Sequence, residues 1–302
     1  MSGRRDAARR LGALAGAALG AAACVEITTA EQGVLSIRFE PLPPSIVAGD
    51  TLRDSTGRVQ RLRAVAFGES GDTVTGATFV FAYLPTAGDT AGGGRALRVD
   101  SVTGLVRADT LPRTAAARIS ASFGRQLQAL DTIAIVRKPT RLSRVGPASV
   151  ALPYLCIDSS RALLVDTLQF GTASPPLGVR LYGDSGSAAT DSVPVPSYLV
   201  EYRIVAPAQI PTGTVPYGDV RPALYLTNGR VDRPLRFDTT NVSGQTTTAL
   251  RVVGPLLTPT SVPGDSVVVE AQAFYRGAPV DTAVRFRVRL TRVPRAGQAS
   301  CP

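Results

Sequence analysis

The fold is decided by the stretch Val99-Asp100-Ser101-Val102-Thr103-Gly104-Leu105-Val106-Arg107-Ala108, in which two apolar runs flank a polar turn. Gly104 is the residue of this turn that most readily adopts the positive φ that a tight reversal needs. We therefore predict a β-hairpin here, and we interpret the neighbouring segments as strands of the same sandwich.

The segments around this hairpin alternate apolar and polar residues with the period of two that strands show. Turns rich in Gly, Asp, Ser and Pro separate them at near-regular intervals, which is typical of an all-β sandwich. The other strands predicted in the first half are residues 34–39, 59–67, 78–84, 117–123 and 127–136.

A second set of strand patterns follows in the second half. In residues 284–290 apolar residues alternate with three arginines, so one face is predicted to pack and the other to be solvated. Asn228-Gly229 predicts a hairpin, and the proline-rich residues 207–222 predict a loop outside the sheets. The other strands predicted here are residues 162–170, 179–183, 198–205, 246–253 and 267–274.

A length of 302 residues favours two domains. The boundary is predicted within residues 138–158, which contain Pro139, Pro147 and Pro153 and few strand signals. The predicted organisation is a signal peptide (1–23), a polar lead (24–33), a first sandwich (34–137), a linker (138–158) and a second sandwich (159–302).

Both halves resemble bacterial immunoglobulin-like domains. VAGDT at residues 47–51, VDSVTGLV at 99–106 and AARISA at 116–121 resemble the group 2 domain. Residues 238–250 and 264–271 resemble the closing half of the group 1, invasin-like domain. The resemblance implies an all-β fold of two immunoglobulin-like sandwiches in tandem. It also implies a structural or adhesive role on bacterial surface and envelope proteins, with no catalytic residues.

The N-terminus has the layout of a secretory signal peptide. Arg4, Arg5, Arg9 and Arg10 precede an uncharged run at residues 11–23. This run is shorter than the roughly 20 residues that span a bilayer. A basic start, a short apolar segment and small residues before a cleavage site are typical of export signals.

Cys24 directly follows Ala21, Ala22 and Ala23, and this arrangement resembles the lipobox of bacterial lipoproteins. The resemblance implies cleavage after residue 23 and a lipid on Cys24. Ala21 stands where Leu is commonest, and the three alanines also fit ordinary signal peptidase. A lipid-anchored protein and a soluble secreted or periplasmic one therefore both remain open.

The remaining cysteines are Cys156 and Cys301. If Cys24 carries a lipid, these two are left to form a disulfide in an oxidising compartment. Two unpaired thiols, or a bridge to a partner, are the alternatives.

Composition argues against several chemistries. The sequence contains no His, so neither a Ser-His-Asp nor a Cys-His arrangement can form, and the commonest transition-metal ligand is missing. No Cys-x-x-Cys spacing exists for zinc. We predict no catalytic residue, no cofactor and no metal site.

The net charge of +10 is carried almost entirely by arginine, since Lys138 is the single lysine. The arginines are dispersed along predicted strands, which is typical of solvated faces. No nucleic-acid partner is predicted.

The predicted function is a non-catalytic, exported lipoprotein of the bacterial envelope, at the outer membrane or facing the periplasm. It would act as a binding, adhesion or spacer module, attached to the membrane through its lipid, with an unspecified protein or glycan partner. The alternative is a soluble secreted or periplasmic carbohydrate-binding accessory or hydrolase-associated protein. Its candidate sugar-contacting side chains are Tyr198, Tyr202, Tyr217 and Tyr225, and the candidate carboxylates of a hydrolase are Glu40, Glu69, Glu201 and Glu270.

Replacing Cys24 by Ser is expected to abolish membrane anchoring. Several acyl chains hold a protein firmly, because each buried CH₂ contributes about 0.8 kcal/mol. Detergent phase partition of the wild-type and Cys24→Ser chains, both expressed in a bacterium, checks this. Recovery of both in the aqueous phase to the same extent would contradict the anchor.

Overall fold

A computed structural model of the protein describes residues 33–85, 95–110, 115–124, 127–155, 171–184, 192–214, 220–228, 234–253 and 265–294. The regular elements in these ranges are β-strands. The first half contains β1 (Ser36–Phe39), β2 (Ser45–Val47), β3 (Ala64–Phe67), β4 (Thr73–Val74), β5 (Val80–Leu84), β6 (Leu97–Val99), β7 (Val106–Ala108), β8 (Ala116–Phe123) and β9 (Leu127–Val136).

The second half contains β10 (Pro139–Val145), β11 (Ser149–Leu155), β12 (Gly171–Ala173), β13 (Leu177–Asp184), β14 (Ser192–Pro194), β15 (Leu199–Ala206), β16 (Thr212–Thr214), β17 (Val220–Pro222), β18 (Leu224–Thr227), β19 (Phe237–Thr239), β20 (Gln245–Val253), β21 (Ser266–Gln272), β22 (Phe274–Tyr275), β23 (Ala278–Pro279) and β24 (Val284–Val293). The predicted strand at residues 162–170 lies outside the described residues.

The first sandwich packs the sheet β2-β9-β8-β5 against the sheet β1-β3-β4 and the β6-β7 hairpin. Alternate residues of β8 point into the core, where Ala117, Ile119 and Ala121 are fully buried. They share the core with Phe39 and Phe81, whose ring centroids lie 6.4 Å apart. The period-two pattern therefore places the core between the two layers, as predicted.

The predicted hairpin is present, and its glycine is required for two reasons. Gly104 has a φ of +67°, and a Cβ at this position would lie 2.5 Å from the carbonyl oxygen of Leu62. The Asp100 carboxylate stabilises the turn by accepting the backbone N–H groups of Val102 at 3.0 Å and Thr103 at 2.7 Å. A side chain at residue 104 would push the hairpin away from the segment that contains Leu62.

The second sandwich packs the sheet β11-β24-β21-β15-β19 against the sheet β10-β13-β20-β12, with β14 and β18 added on β13 and β20. In β24 the predicted alternation is confirmed: Phe286, Val288 and Leu290 are buried, and the arginines between them are exposed. The buried Tyr202 joins the two sheets, since its hydroxyl donates to the carbonyl of Thr246 at 3.1 Å. The predicted fold class, all-β with two immunoglobulin-like sandwiches in tandem, is confirmed.

The chain enters both sandwiches in the same way. In each domain the first strand belongs to one sheet. The second strand belongs to the opposite sheet, where it lies beside the last strand of the domain. Accordingly β2 pairs in parallel with β9, and β11 pairs in parallel with β24.

The prediction of a linker over residues 138–158 is wrong for residues 139–155, because these form β10 and β11. The prolines that suggested a linker occupy positions that a sheet tolerates. Pro139 begins β10, Pro147 lies between the strands, and Pro153 lies in β11, an edge strand where its missing N–H breaks no ladder. The second sandwich begins at Pro139 rather than at residue 159, and only two residues separate β9 from β10.

The described residues of the segment 207–222 lie outside the two large sheets, as predicted, but they include the paired strands β16 and β17. The chain also reverses after β18, since the N–H of Leu235 donates to the carbonyl of Leu226 at 2.8 Å. Of the dipeptide predicted to turn here, Gly229 lies outside the described residues.

Within the described ranges, no helix has the length and apolar character needed to cross a membrane. The predicted signal peptide, Cys24, Cys156 and Cys301 all lie outside the described residues. Their cleavage, lipidation and pairing stay predictions.

The parallel pairing of β11 with β24 bears on the predicted disulfide. Leu155 lies opposite Val293 at one end of the sheet. Leu155 directly precedes Cys156, and Val293 precedes Cys301 by eight residues. The strand ends that lead to the two cysteines are therefore neighbours in the sheet, and Cys156 directly follows the second strand of the domain.

Replacing Cys156 or Cys301 by Ser is expected to lower the free energy of unfolding of the oxidised protein. A closed loop of about 146 residues stabilises by roughly 5 kcal/mol in the chain-entropy model. Intact-mass analysis of alkylated periplasmic protein, with and without reductant, tests the bridge itself. Two alkylated cysteines at Cys156 and Cys301 in the unreduced sample would contradict it.

Candidate functional site

The two sandwiches are joined by Arg137 and Lys138, and both side chains contact the second sandwich. Arg137 donates from Nη1 to the carbonyl of Asp184 at 3.0 Å. The Lys138 ammonium lies over the ring of Tyr275, 5.5 Å from its centroid. A connection of two anchored residues leaves little freedom for the domains to move independently.

Apolar contact continues across the junction. Val47 and Val136, at the ends of β2 and β9, are buried in the same cluster as the core of the second sandwich. The remaining core residues of the first sandwich form a separate cluster. Each domain therefore has its own core, and these two valines bridge to the neighbouring one.

Asp50 lies at the centre of the junction, with a side chain only 4% exposed. Its Oδ2 accepts hydrogen bonds from Nε of Arg53 at 3.1 Å and from Nε of Arg276 at 2.9 Å. Its Oδ1 accepts the N–H of Thr51 at 2.8 Å. Because Arg53 belongs to the first sandwich and Arg276 to the second, one buried carboxylate holds the two domains together.

Burial by itself raises the pKa of Asp50, but the hydrogen bonds from Arg276, Arg53 and Thr51 outweigh it and hold this pKa well below the usual aspartate range. Burial, together with the hydrogen bond to Asp50, raises the pKa of Tyr275. At neutral pH the junction therefore contains an ionised aspartate and a neutral tyrosine. A desolvated carboxylate of this kind requires its cationic partners.

Backbone contact reinforces the ion pairs. A Cβ on Gly57 would lie 2.0 Å from the backbone nitrogen of Gly277, and Gly57 has a φ of +83°. Arg276 and Gly277, at φ of 52° and 81°, form the tight turn between β22 and β23. The tip of this hairpin packs directly on the turn at residues 54–57, where only a glycine fits.

The turn at residues 54–57 is itself held in shape by local hydrogen bonds. The Asp54 carboxylate accepts the N–H groups of Thr56 and Arg58, each at 2.9 Å. Arg53 donates from Nη1 to the carbonyl of Gly57 at 2.9 Å, while its Nε holds Asp50. Arg53 therefore couples the turn to the buried carboxylate.

The junction leaves a cleft of about 50 Å³, lined by Asp50, Arg53, Glu201 and Tyr275 among others. Small-molecule sites usually measure about 300–1,000 Å³. We therefore interpret the junction as a packed joint rather than a ligand pocket.

The tyrosines proposed for sugar binding do not form an exposed row. Tyr202 and Tyr225 are buried, and Tyr198 is half-buried with its hydroxyl bonded to the carbonyl of Phe274 at 2.7 Å. Tyr217 lies outside the described residues. The three described side chains serve the cores and the junction.

The candidate hydrolase carboxylates Glu201 and Glu270 lie on neighbouring strands, and each is held by arginine. Glu201 pairs with Arg236, and Glu270 pairs with Arg203 and Arg285. The hydrogen bond from Arg203 outweighs burial and lowers the pKa of Glu270. A general acid needs a raised pKa instead. Within the described ranges, no three or more His, Cys, Asp or Glu side chains cluster as metal ligands.

Sequence reasoning missed the junction. Asp50 stood out only within the VAGDT stretch of the family resemblance, and its partner Arg276 lies 226 residues further along the chain. The one local signal was the dipeptide Arg276-Gly277, which is typical of a tight turn. No spacing rule links such distant residues.

No family model matches the chain, and a search of curated proteins gives no match. Among solved structures the chain is similar to the Yersinia pseudotuberculosis adhesin InvE, at 17% identity and a TM-score of 0.29, covering 85% of this chain. It is also similar to the D00-D0 domain of intimin, at 13% identity and a TM-score of 0.24, covering 83% of this chain and 98% of that one. The human desmocollin-1 ectodomain gives 11% identity and a TM-score of 0.24, covering 85% and 42%.

The chain spans 61% of the length of the InvE structure.

Replacing Asp50 by Asn is expected to cost about 1–3 kcal/mol, because it leaves buried hydrogen-bonding groups imperfectly paired. Replacing Arg276 by Gln is also expected to lower the free energy of unfolding, because it removes one of the two cations that pair with the buried carboxylate. Chemical denaturation of both single variants and of the double variant gives their coupling energy. A cycle with Arg287→Gln in place of Arg276→Gln is the control, and equal coupling in both cycles would contradict the junction.

The same pair predicts a pH dependence. The folded-state pKa of Asp50 is depressed, so its stabilisation is present above about pH 4, the ordinary aspartate value, and decreases as the pH falls below it. The stability difference between wild type and Asp50→Asn is expected to shrink on acidification. A difference that stays constant from pH 7 to pH 3 would contradict the assignment.

Proposed function

We propose that this protein is a non-catalytic, exported envelope lipoprotein whose first sandwich holds the second one in a fixed orientation for binding. The observation that carries the proposal is the junction, where Asp50 receives one arginine from each domain and Gly57 touches Gly277. A spacer needs a joint of this kind, since it must hold the second domain at a fixed distance and orientation relative to the first.

Domains in one chain move relative to one another by default, unless their interface is substantial. Four contacts oppose motion here: the short connection, the bridging valines, the ion pairs of Asp50 and the glycine contact. They lie on different elements, so no single bond rotation releases them together. The joint is therefore expected to be stiff.

The proposed anchor fixes which domain lies nearer the membrane. Cys24 precedes the first sandwich by about ten residues, a reach of at most about 35 Å when fully extended. The second sandwich follows the first in sequence and is joined to it by the stiff junction. A lipid on Cys24 thus places the second sandwich as the distal, partner-facing domain.

The carbohydrate-accessory alternative is based on tyrosines that stack against sugar rings, and such stacking requires an accessible aromatic platform. Tyr202 and Tyr225 are buried, and Tyr198 is committed to the junction. The described tyrosines therefore favour the spacer and binding role.

Replacing Gly57 by Ala is expected to loosen the junction, because the added methyl group would occupy the position of the Gly277 backbone. Gly76→Ala is the matched control, since Gly76 has a nearly equal φ of +80° and nothing within 4 Å of its Cβ position. Both substitutions carry the cost of a positive φ, about 1 kcal/mol. Only Gly57→Ala adds the clash.

Small-angle X-ray scattering of the three proteins measures the consequence. Wild type and Gly76→Ala are expected to give the same compact distance distribution, and Gly57→Ala a broader one with a larger maximum dimension. If wild type already scatters as two independently moving domains, or if both variants broaden equally, the spacer proposal fails.

A further inference from the structure

Positive charge is concentrated in the second domain. Residues 137–302 contain 18 Lys and Arg against 11 Asp and Glu, a net charge of +7, whereas residues 33–136 contain 11 against 9. The excess therefore lies in the domain that the proposed anchor places away from the membrane.

Part of this excess lies on the outer face of the sheet β11-β24-β21-β15-β19. Arg285, Arg287 and Arg289 alternate with buried core residues along β24, so all three point outward. Arg203 on β15 and Arg236 beside β19 extend the set across the sheet. We call these five side chains the arginine face.

The carboxylates of this face lie beneath the arginines. The Glu270 side chain is 4% exposed, whereas its partners Arg203 and Arg285 are 57% and 71% exposed. Glu201 is 8% exposed, and its partner Arg236 is 71% exposed. In these pairs the guanidinium groups are therefore more exposed to a partner than the carboxylates.

Two of the five arginines have no carboxylate opposite them in the sheet. Arg287 lies between Ser149 and Val268, and Arg289 lies between Ala151 and Ser266. With five arginines and two glutamates, the face keeps a net charge of +3. The face therefore carries more arginines than its glutamates can neutralise.

We propose that the arginine face binds an extended anionic polysaccharide, one whose sugars carry carboxylate or sulfate groups. Outward residues along a strand repeat at about 6.8 Å, and neighbouring strands lie about 4.8 Å apart, which spreads the cations over a flat surface. The planar guanidinium group donates paired hydrogen bonds to carboxylate and sulfate oxygens. A linear polymer with regularly spaced anions matches this surface better than a compact ligand, which needs a pocket.

The chemistry of the face favours a polysaccharide over a nucleic acid. Single-stranded nucleic acids are held by exposed aromatic side chains on which bases stack. The aromatic residue of this face in the described strands, Phe237, is half-buried, and the guanidinium of Arg236 lies 5.4 Å from its ring centroid. This inference rests on the proposed function, because it names the partner class of the distal domain.

The test measures binding of the purified full-length protein to heparin and to polygalacturonate, with neutral dextran as the uncharged control. Both anionic polymers are expected to bind, more weakly as salt rises, and dextran is not. The variant R287Q/R289Q is expected to bind about five- to tenfold more weakly, since it loses two exposed ion pairs. R287K/R289K is expected to recover part of the affinity, because it restores charge without the planar donor.

R98Q/R118Q is the matched control, since it removes two exposed arginines from the first sandwich. Its affinity is expected to stay within twofold of wild type. Equal loss in both double variants, or no binding by wild type, would overturn the inference. So would tighter, Arg287-dependent binding to single-stranded DNA or to phosphatidylglycerol vesicles than to either polysaccharide.

Scattering separates this inference from the proposed function. A protein that keeps the compact distance distribution but binds neither polymer overturns only the inference. A protein that binds the polymers through Arg287 and Arg289 but scatters as two independent domains overturns only the stiff spacer.

Discussion

Asp50 is a buried carboxylate held between two guanidinium groups from different domains, and the placement of the second sandwich depends on this contact. Out of water the charge needs both partners. Arg53 is supplied by the same turn, but Arg276 is supplied only when the β22-β23 hairpin rests against the first sandwich. Solvating the carboxylate any other way would require the domains to part. The close contact between Gly57 and Gly277 then determines how closely the two domains approach each other.

The junction and the arginine face use one kind of interaction in different proportions. At the junction the Asp50 carboxylate accepts hydrogen bonds from two arginines, one from each domain. On the outer sheet two carboxylates lie under three arginines, and two further arginines extend beyond them. The ion pairs of Asp50 connect two parts of the protein, whereas the additional arginines of the outer sheet direct their guanidinium groups toward solvent. The single lysine, Lys138, lies over the ring of Tyr275 in the connection between the domains.

Local patterns predicted most of the strands, because an alternating segment must present one face to a core wherever it lies. The hairpin around Gly104 and the alternation in β24 are the clearest cases. Position within a sheet has no such signature: Pro153 indicated a linker, yet it lies on an edge strand. The junction was beyond prediction for a related reason, since Asp50 has the ordinary appearance of a turn residue and its partner is fixed by tertiary packing. The arginines of β24 were predicted to be solvated, but the burial of Glu201 and Glu270 beneath such residues depends on neighbours from other strands.

The parallel pairing of first and last strands has a mechanical consequence. Tension applied between the amino end of β11 and the carboxyl end of β24 acts in opposite directions along these two strands. The hydrogen bonds that join them across seven register pairs are then loaded in shear, all at once, instead of being peeled apart one by one. The three pairs between β2 and β9 are loaded in the same way. A chain anchored at one end and gripped at the other would therefore resist extension along the direction in which its ladders are strongest.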